Sequence, residues 1–168
     1  MKATLVPARV EFDHLVVMLR DEVEARSVGF EAAGYCLGAP GYHNLGSMNR
    51  LIVLSTSYIE LLGWPAGTQP KRPEIAAQPM GLDALVFRSE DAQADYARLV
   101  AAGFDVQPVS QLERPVAGEG GAQMARFNTV RFNTQPIAGL RVYFCQHLTP
   151  EHIWNEALLE HQNGARFL

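Results

Sequence analysis

One hexapeptide and its echo limit what this chain can fold into. Phe12-Asp13-His14-Leu15-Val16-Val17 returns, weakened, as Leu82-Asp83-Ala84-Leu85-Val86-Phe87, which places Ala84 70 residues after His14. Each copy leads into an acidic helical stretch that stops at a glycine. Those stops, Gly34 and Gly103, are 69 residues apart. Strand and helix therefore recur in step, the signature of a repeated supersecondary unit. The copies differ where it matters most for chemistry, because the histidine of the first is an alanine in the second.

Taken in order, Val10 to Val17 reads as a strand with Phe12, His14 and Val16 on one face and Asp13, Leu15 and Val17 on the other. Asp21 to Ala33 reads as a helix ended by Gly34. A short strand is expected near Tyr35 to Leu37, then a turn-rich loop from Gly38 to Gly46 that carries His43. Asn49 to Leu54 and Tyr58 to Leu62 read as strands around Ser55-Thr56-Ser57. Pro65, Pro70, Pro73 and Pro79 make residues 65–81 a linker. The second unit begins with the strand Leu82 to Phe87. A helix follows, capped by Ser89, with Ala92, Tyr96 and Leu99 on its inner face. Gln107 to Gln123, with Pro108, Pro115, Gly118, Gly120 and Gly121, reads as a long loop. It lacks the following helix and the Gly-Lys-Ser/Thr of a phosphate cradle. Ala125 to Asn133 and Leu140 to Gln146 read as strands, and Pro150 to Gln162 as a closing helix. The expected organisation is one module over residues 1–64, a linker over 65–81, a second module over 82–147 and a helical tail over 148–168.

Composition narrows the function classes. A chain of 168 residues that is 48% hydrophobic can bury a real core. A net charge of −4 and a pI near 5.7 lack the basic face that nucleic acid or an anionic membrane surface requires. No apolar run reaches the length of a membrane span, and Pro7 and Arg9 interrupt Met1 to Phe12, which is not a signal peptide. Cys36 and Cys145 form no metal-type cluster and read as reduced thiols of a cytoplasmic protein.

Two copies of strand-helix-strand-strand-strand resemble the vicinal oxygen chelate superfamily, which includes glyoxalase I, extradiol dioxygenases and bleomycin-resistance proteins. The resemblance covers about residues 11–146. Its specific pieces are Phe12 to Val17, Gly46-Ser47-Met48-Asn49-Arg50-Leu51 and Tyr58-Ile59-Glu60-Leu61. The tail, with Thr149-Pro150-Glu151, Trp154 and His161-Gln162-Asn163-Gly164-Ala165, is similar to the glyoxalase-like group. The resemblance implies an α+β fold in which two βαβββ modules form a cupped mixed sheet, followed by a C-terminal helix. It also implies metal ligands on the first and last strands of each module, at His14, Glu60, Ala84 and Gln146. Ala84 departs from that pattern.

The residues carry part of this placement themselves. Glu60 lies in a strongly apolar strand, and a carboxylate aimed into an apolar cavity needs a cation, a proton or hydrogen bonds. Taken singly, His14 reads as a hydrogen-bonded core histidine and Glu60 as a carboxylate at a wet sheet edge. As a pair at matching positions they read as a shared pocket. His14, Glu60 and Gln146 would offer a mixed nitrogen and oxygen set suited to Zn, Mn, Fe, Co or Ni, with open positions for substrate. Without metal, Glu60 is the expected general base, its pKa raised by burial. His43, Asn49 and Arg50 are the expected substrate-binding residues, Arg50 through a carboxylate. His147 is expected to face away from the side of Gln146, and His161 to be structural.

Two functions are consistent with this pattern. One is a metal-assisted enzyme of the lyase or dioxygenase kind acting on a small oxygenated metabolite. The other is a metal-free protein that sequesters a small molecule in the same cup, as implied by the resemblance to bleomycin-resistance proteins. A small-molecule ligand is the expected partner in both, and a homodimer is compatible with either.

Overall fold

A computed structural model describes residues 10–118 and 121–168, with the side chains of 117, 118 and 122 excepted. Most of the Met1 to Phe12 stretch and Gly120 of the glycine cluster lie outside the described residues. The first half contains β1 (Glu11–Arg20), α1 (Val23–Ala32), β2 (Gly41–Tyr42), β3 (Met48–Val53) and β4 (Tyr58–Gly63). A short helix, α2 (Pro73–Ala76), starts at a proline and buries Ile75 completely. The second half repeats the plan with β5 (Gly81–Arg88), α3 (Ala92–Ala101), β6 (Ser110–Gly118), β7 (Gly121–Arg131) and β8 (Arg141–His147). The tail forms a 3-10 turn (Pro150–His152) and α4 (Glu156–Leu159).

The eight strands form one mixed sheet in the order β2-β3-β4-β1-β5-β8-β7-β6. The two halves are mirror sequences of strands that meet at antiparallel β1 and β5, where Leu15 pairs with Leu85. Those leucines are equivalent in the repeat, so the pseudo-twofold axis passes through their pair. Within each half the first and last strands run parallel, β1 with β4 and β5 with β8. The edge strands β2 and β6 approach each other and nearly close the sheet into a cup. Gly34 and Gly103 both take φ of +86° and end α1 and α3, which explains why a glycine recurs there.

The cup face carries one apolar cluster that includes Val16, Leu51, Tyr58, Leu62, Ala84, Val86, Phe127 and Ile153. The outer faces pack against the helices, Leu19, Ile52 and Leu61 beneath α1 and Val130, Val142 and Phe144 beneath α3. No helix among the described residues is long and apolar enough to cross a membrane.

Four local expectations are corrected. The strand expected at Tyr35 to Leu37 forms at Gly41–Tyr42 instead, inside the predicted loop. The predicted loop from Gln107 to Gln123 is largely β6 and the start of β7, paired from Ser110 with Thr129 to Gly118 with Gly121. Pro115 is tolerated because β6 is an edge strand. The cap of α3 is Asp91, which accepts from the Gln93 and Ala94 N–H groups, while Ser89 donates to Asp95. The closing helix is interrupted because Asn155 takes an extended conformation and caps α4 by accepting from Ala157 N–H.

Candidate active site

A bulge in β1 builds the centre of the cup. Register shifts between Phe12 and His14, so Asp13 is the extra residue and both side chains reach the cup side. Strict alternation would have sent Asp13 to the outer face. Asp13 is fully buried. Its Oδ2 accepts from His14 Nδ1 at 2.6 Å and from His147 Nε2 at 2.9 Å, and its Oδ1 accepts from Arg88 Nε at 2.9 Å. Burial pushes the Asp13 carboxyl up, but the bonds and charges of His14 and His147 outweigh it and hold the group far below the carboxylate range. Asp13 is therefore an anion, and His14 is fixed with its Nδ1 as donor and its Nε2 facing the cavity.

Glu60 lies opposite. Its Oε2 is 3.7 Å from His14 Nε2, and its Oε1 accepts from Asn49 Nδ2 at 2.7 Å. Burial raises the Glu60 pKa, yet the charges of His14 and His43, the Asn49 hydrogen bond and Arg114 together bring it below its ordinary value. The expected burial-raised base is thus corrected to a stabilised carboxylate. The His14 ring stacks on Tyr58 with centroids 4.2 Å apart, and its Nε2 lies 3.3 Å from the Tyr143 hydroxyl. Burial, then the charge of Glu60, pushes the Tyr143 phenol well above its ordinary value, so it stays protonated as a donor.

These groups line a cavity of about 50 Å³, together with His43, Asn49, Arg114 and Cys145. The space suits a few water molecules or a small ligand. His43 enters from the β2–β3 loop, with Nδ1 3.0 Å from Ser47 Oγ, and burial lowers its pKa to about 4. A second cavity of about 40 Å³ shares Glu60, His43 and Tyr143 and is bordered by Arg72, Arg131 and Arg141.

Of the residues singled out in the sequence, His14, Glu60, Asn49 and His43 meet at the cavity. Arg50 does not. It sits on the outer face of β3, donates to Gly38 O at 3.0 Å and pairs with Glu31 at 2.9 Å. Gln146 also points outward. Its Oε1 accepts from Ala92 N and Asn128 Nδ2, and its Nε2 donates to Glu90 O. Side chains alternate along β8, so Tyr143, Cys145 and His147 take the cup face instead. His161 is structural, accepting from Cys36 N at 2.9 Å and donating to Val53 O at 2.8 Å. Sequence reading missed Asp13, Arg114 and Tyr143. The period-2 spacing of Leu112, Arg114 and Val116 was the available signal for β6.

Sheet register identifies the four positions where the resemblance places metal ligands. His14 pairs with Tyr58, and Ala84, its counterpart, pairs with Arg141. Glu60, two residues past Tyr58, therefore corresponds to Tyr143. The set is His14, Glu60, Ala84 and Tyr143, and it does not fit a metal. Ala84 offers no donor and is fully buried, Tyr143 keeps its proton, and the Arg114 cation lies alongside. A different group, Asp13, Cys145 and His147, places its ligand atoms within 4.8 Å of one another. It has the donor number a metal needs, although Asp13 is already bonded to three partners. Both cysteines are free, and burial pushes the Cys145 thiol well up.

A family profile described as a glyoxalase-like domain matches residues 12–168. Among curated protein sequences none matches. Several solved structures share the fold. A hypothetical protein from Staphylococcus aureus superimposes with a TM-score of 0.66 at 19% identity, covering 83% of this chain. The chain spans 60% of the length of that protein. Methylmalonyl-CoA epimerase from Mycobacterium tuberculosis gives 0.57 at 18% identity, covering 86% of this chain and 93% of its own. A Streptomyces coelicolor methylmalonyl-CoA epimerase variant in complex with 2-nitronate-propionyl-CoA gives 0.53 at 19% identity, with coverages of 84% and 99%.

Proposed function

The chain belongs to the glyoxalase-like domain family of the vicinal oxygen chelate superfamily, and from that premise we propose that it is an enzyme moving a proton on a small oxygenated metabolite. One observation carries the reading. The His14 imidazole is held by a buried carboxylate at 2.6 Å on one nitrogen and presents the other to a cavity. That arrangement orients a general base and stabilises the imidazolium it becomes.

The roles follow from position. His14 Nε2 takes a proton from a carbon beside a carbonyl. Asp13 holds the ring and its developing charge. Glu60, 3.7 Å from Nε2, stabilises the imidazolium from the cavity side. The Tyr143 hydroxyl donates to the oxygen on which negative charge collects. Asn49 keeps Glu60 in place, and His43 closes the cavity wall. The epimerase neighbours carry a name from the same reaction class, which agrees with proton transfer at carbon.

A second reading, metal-assisted turnover, is supported by the clustering of Asp13, Cys145 and His147. Those residues would hold a divalent cation such as Zn, whose contribution when bound would be Lewis-acid polarisation of a substrate oxygen. Binding would require Asp13 to give up its bond to His147.

Incubation of the untagged protein with hydroxypyruvate, pyruvate, glycolaldehyde and methylglyoxal in D₂O, followed by proton NMR, tests the proposal. The expected result is protein-dependent loss of a C–H signal next to the carbonyl in at least one compound. Binding with no exchange in any of the four would favour sequestration. Exchange abolished by a chelator and restored by Zn would favour the metal reading.

A further inference from the structure

Two polar groups in the cavity wall have no hydrogen-bond partner among the described residues. Arg114 is 6% exposed and makes no hydrogen bond or ion pair among the described residues. The Asn49 amide is fixed by donating to Glu60, so its Oδ1 faces the other way, buried and without a donor. Arg114 feels the charge of Glu60, but a buried cation and a buried acceptor that each lack a hydrogen bond are costly. They are also neighbours, since a side chain on Gly41 would collide with both the Arg114 guanidinium and Asn49 Oδ1. Around the adjoining cavity Arg72 pairs with Glu74 and Arg141 with Asp83, while Arg131, less buried than Arg114, makes no ion pair among the described residues.

We propose that Arg114 and Asn49 form the recognition site for a small carboxylate bearing a hydroxyl on the adjacent carbon. The carboxylate accepts from the guanidinium, and the hydroxyl donates to Asn49 Oδ1. Neither a bare carboxylate nor a neutral alcohol satisfies both groups. The free volume of about 50 Å³ limits the ligand to a few non-hydrogen atoms. The hydroxy-acid end then lies beside Glu60 and His14, which line the same cavity. This adds a recognition element to the site described above, one that the hydrate and the enediol of hydroxypyruvate also satisfy, and rests on that reading only for where the ligand sits.

Calorimetric titration of the full chain with lactate, propanoate and methyl lactate tests the site without any variant. Lactate is expected to bind about tenfold or more tightly than either, because propanoate strands Asn49 Oδ1 and methyl lactate strands the Arg114 charge. Arg114→Gln is expected to weaken lactate by about tenfold or more, and Arg131→Gln to leave it unchanged. Equal affinities for the three compounds, no lactate binding at millimolar concentration, or dependence on Arg131 rather than Arg114 would each overturn the proposal. Failure of the proton-transfer reading is told apart because it is read by exchange, whereas the anchor is read by binding.

Discussion

At the scale of single residues, Asp13 ties three side chains together. It satisfies His14, His147 and Arg88 at once, and it has no exposure. Asp13→Asn removes the buried charge and leaves Arg88 without its carboxylate. Denaturant unfolding is expected to show a loss of about 3–5 kcal/mol, the range for breaking one side of a buried ion pair. A loss below about 1 kcal/mol would mean that the charge is not needed. His43 gives a pH test. Its pKa is 6.5 in an unfolded chain and about 4 in the fold, lowered by burial. Between those values the unfolded state binds more protons, so stability is full above pH 6.5 and falls as pH drops toward 4. The pKa values of Asp13 and Glu60 are lowered as well, from lower starting values. Their ionised forms are favoured by the fold, and their contributions persist until pH falls below the ordinary carboxylate values of 3.8 and 4.5. The window from 6.5 to 4.5 therefore separates His43 from these two carboxylates, and His43→Gln is expected to reduce the slope of the melting temperature across it. A slope that survives the substitution undiminished would place the titrating group elsewhere.

At the scale of elements, the closure of β2 against β6 positions Arg114. Gly41 leaves the space through which the guanidinium reaches the cavity, so Gly41→Ala should push Arg114 aside while the other strands keep their register. Lactate affinity is expected to fall about as far as in Arg114→Gln, and unchanged affinity would show that Arg114 reaches the cavity by another path. The elements also show which features were legible in the sequence. Hydrophobic strands and glycine stops repeat in register, so the paired modules could be read directly, whereas the pairing of His14 with Glu60 rested on the resemblance and on the apolar setting of both residues. Three features could not. The bulge at Asp13 breaks alternation without a glycine or proline to announce it. Strand β8, Arg141-Val142-Tyr143-Phe144-Cys145-Gln146-His147, is apolar on both faces because one packs on α3 and the other lines the cup. Alternation therefore gave no parity there, and Gln146 was placed on the wrong side. Strand β6 carries Pro115 and ends in glycines, which reads as a loop unless its edge position is known.

At the scale of the whole molecule, pseudo-twofold pairing of β1 and β5 brings two half-sites to one cup, and they have diverged. The first half supplies the charged chemistry through Asp13, His14, Asn49 and Glu60. The second supplies Tyr143 and Arg114, and at Ala84 it supplies only packing. Where the resemblance places a symmetric metal set, the proposed roles put a base on one side and an anion anchor on the other. His14 is the pivot of that asymmetry. The most direct test is the rate of deuterium incorporation into hydroxypyruvate by wild type and by His14→Gln at neutral pH. Measurable exchange by wild type is expected, with a decrease of about 10²- to 10⁴-fold in the variant, the usual weight of a general base, and lactate affinity retained. Equal exchange rates in the two proteins would contradict the proposed role of His14.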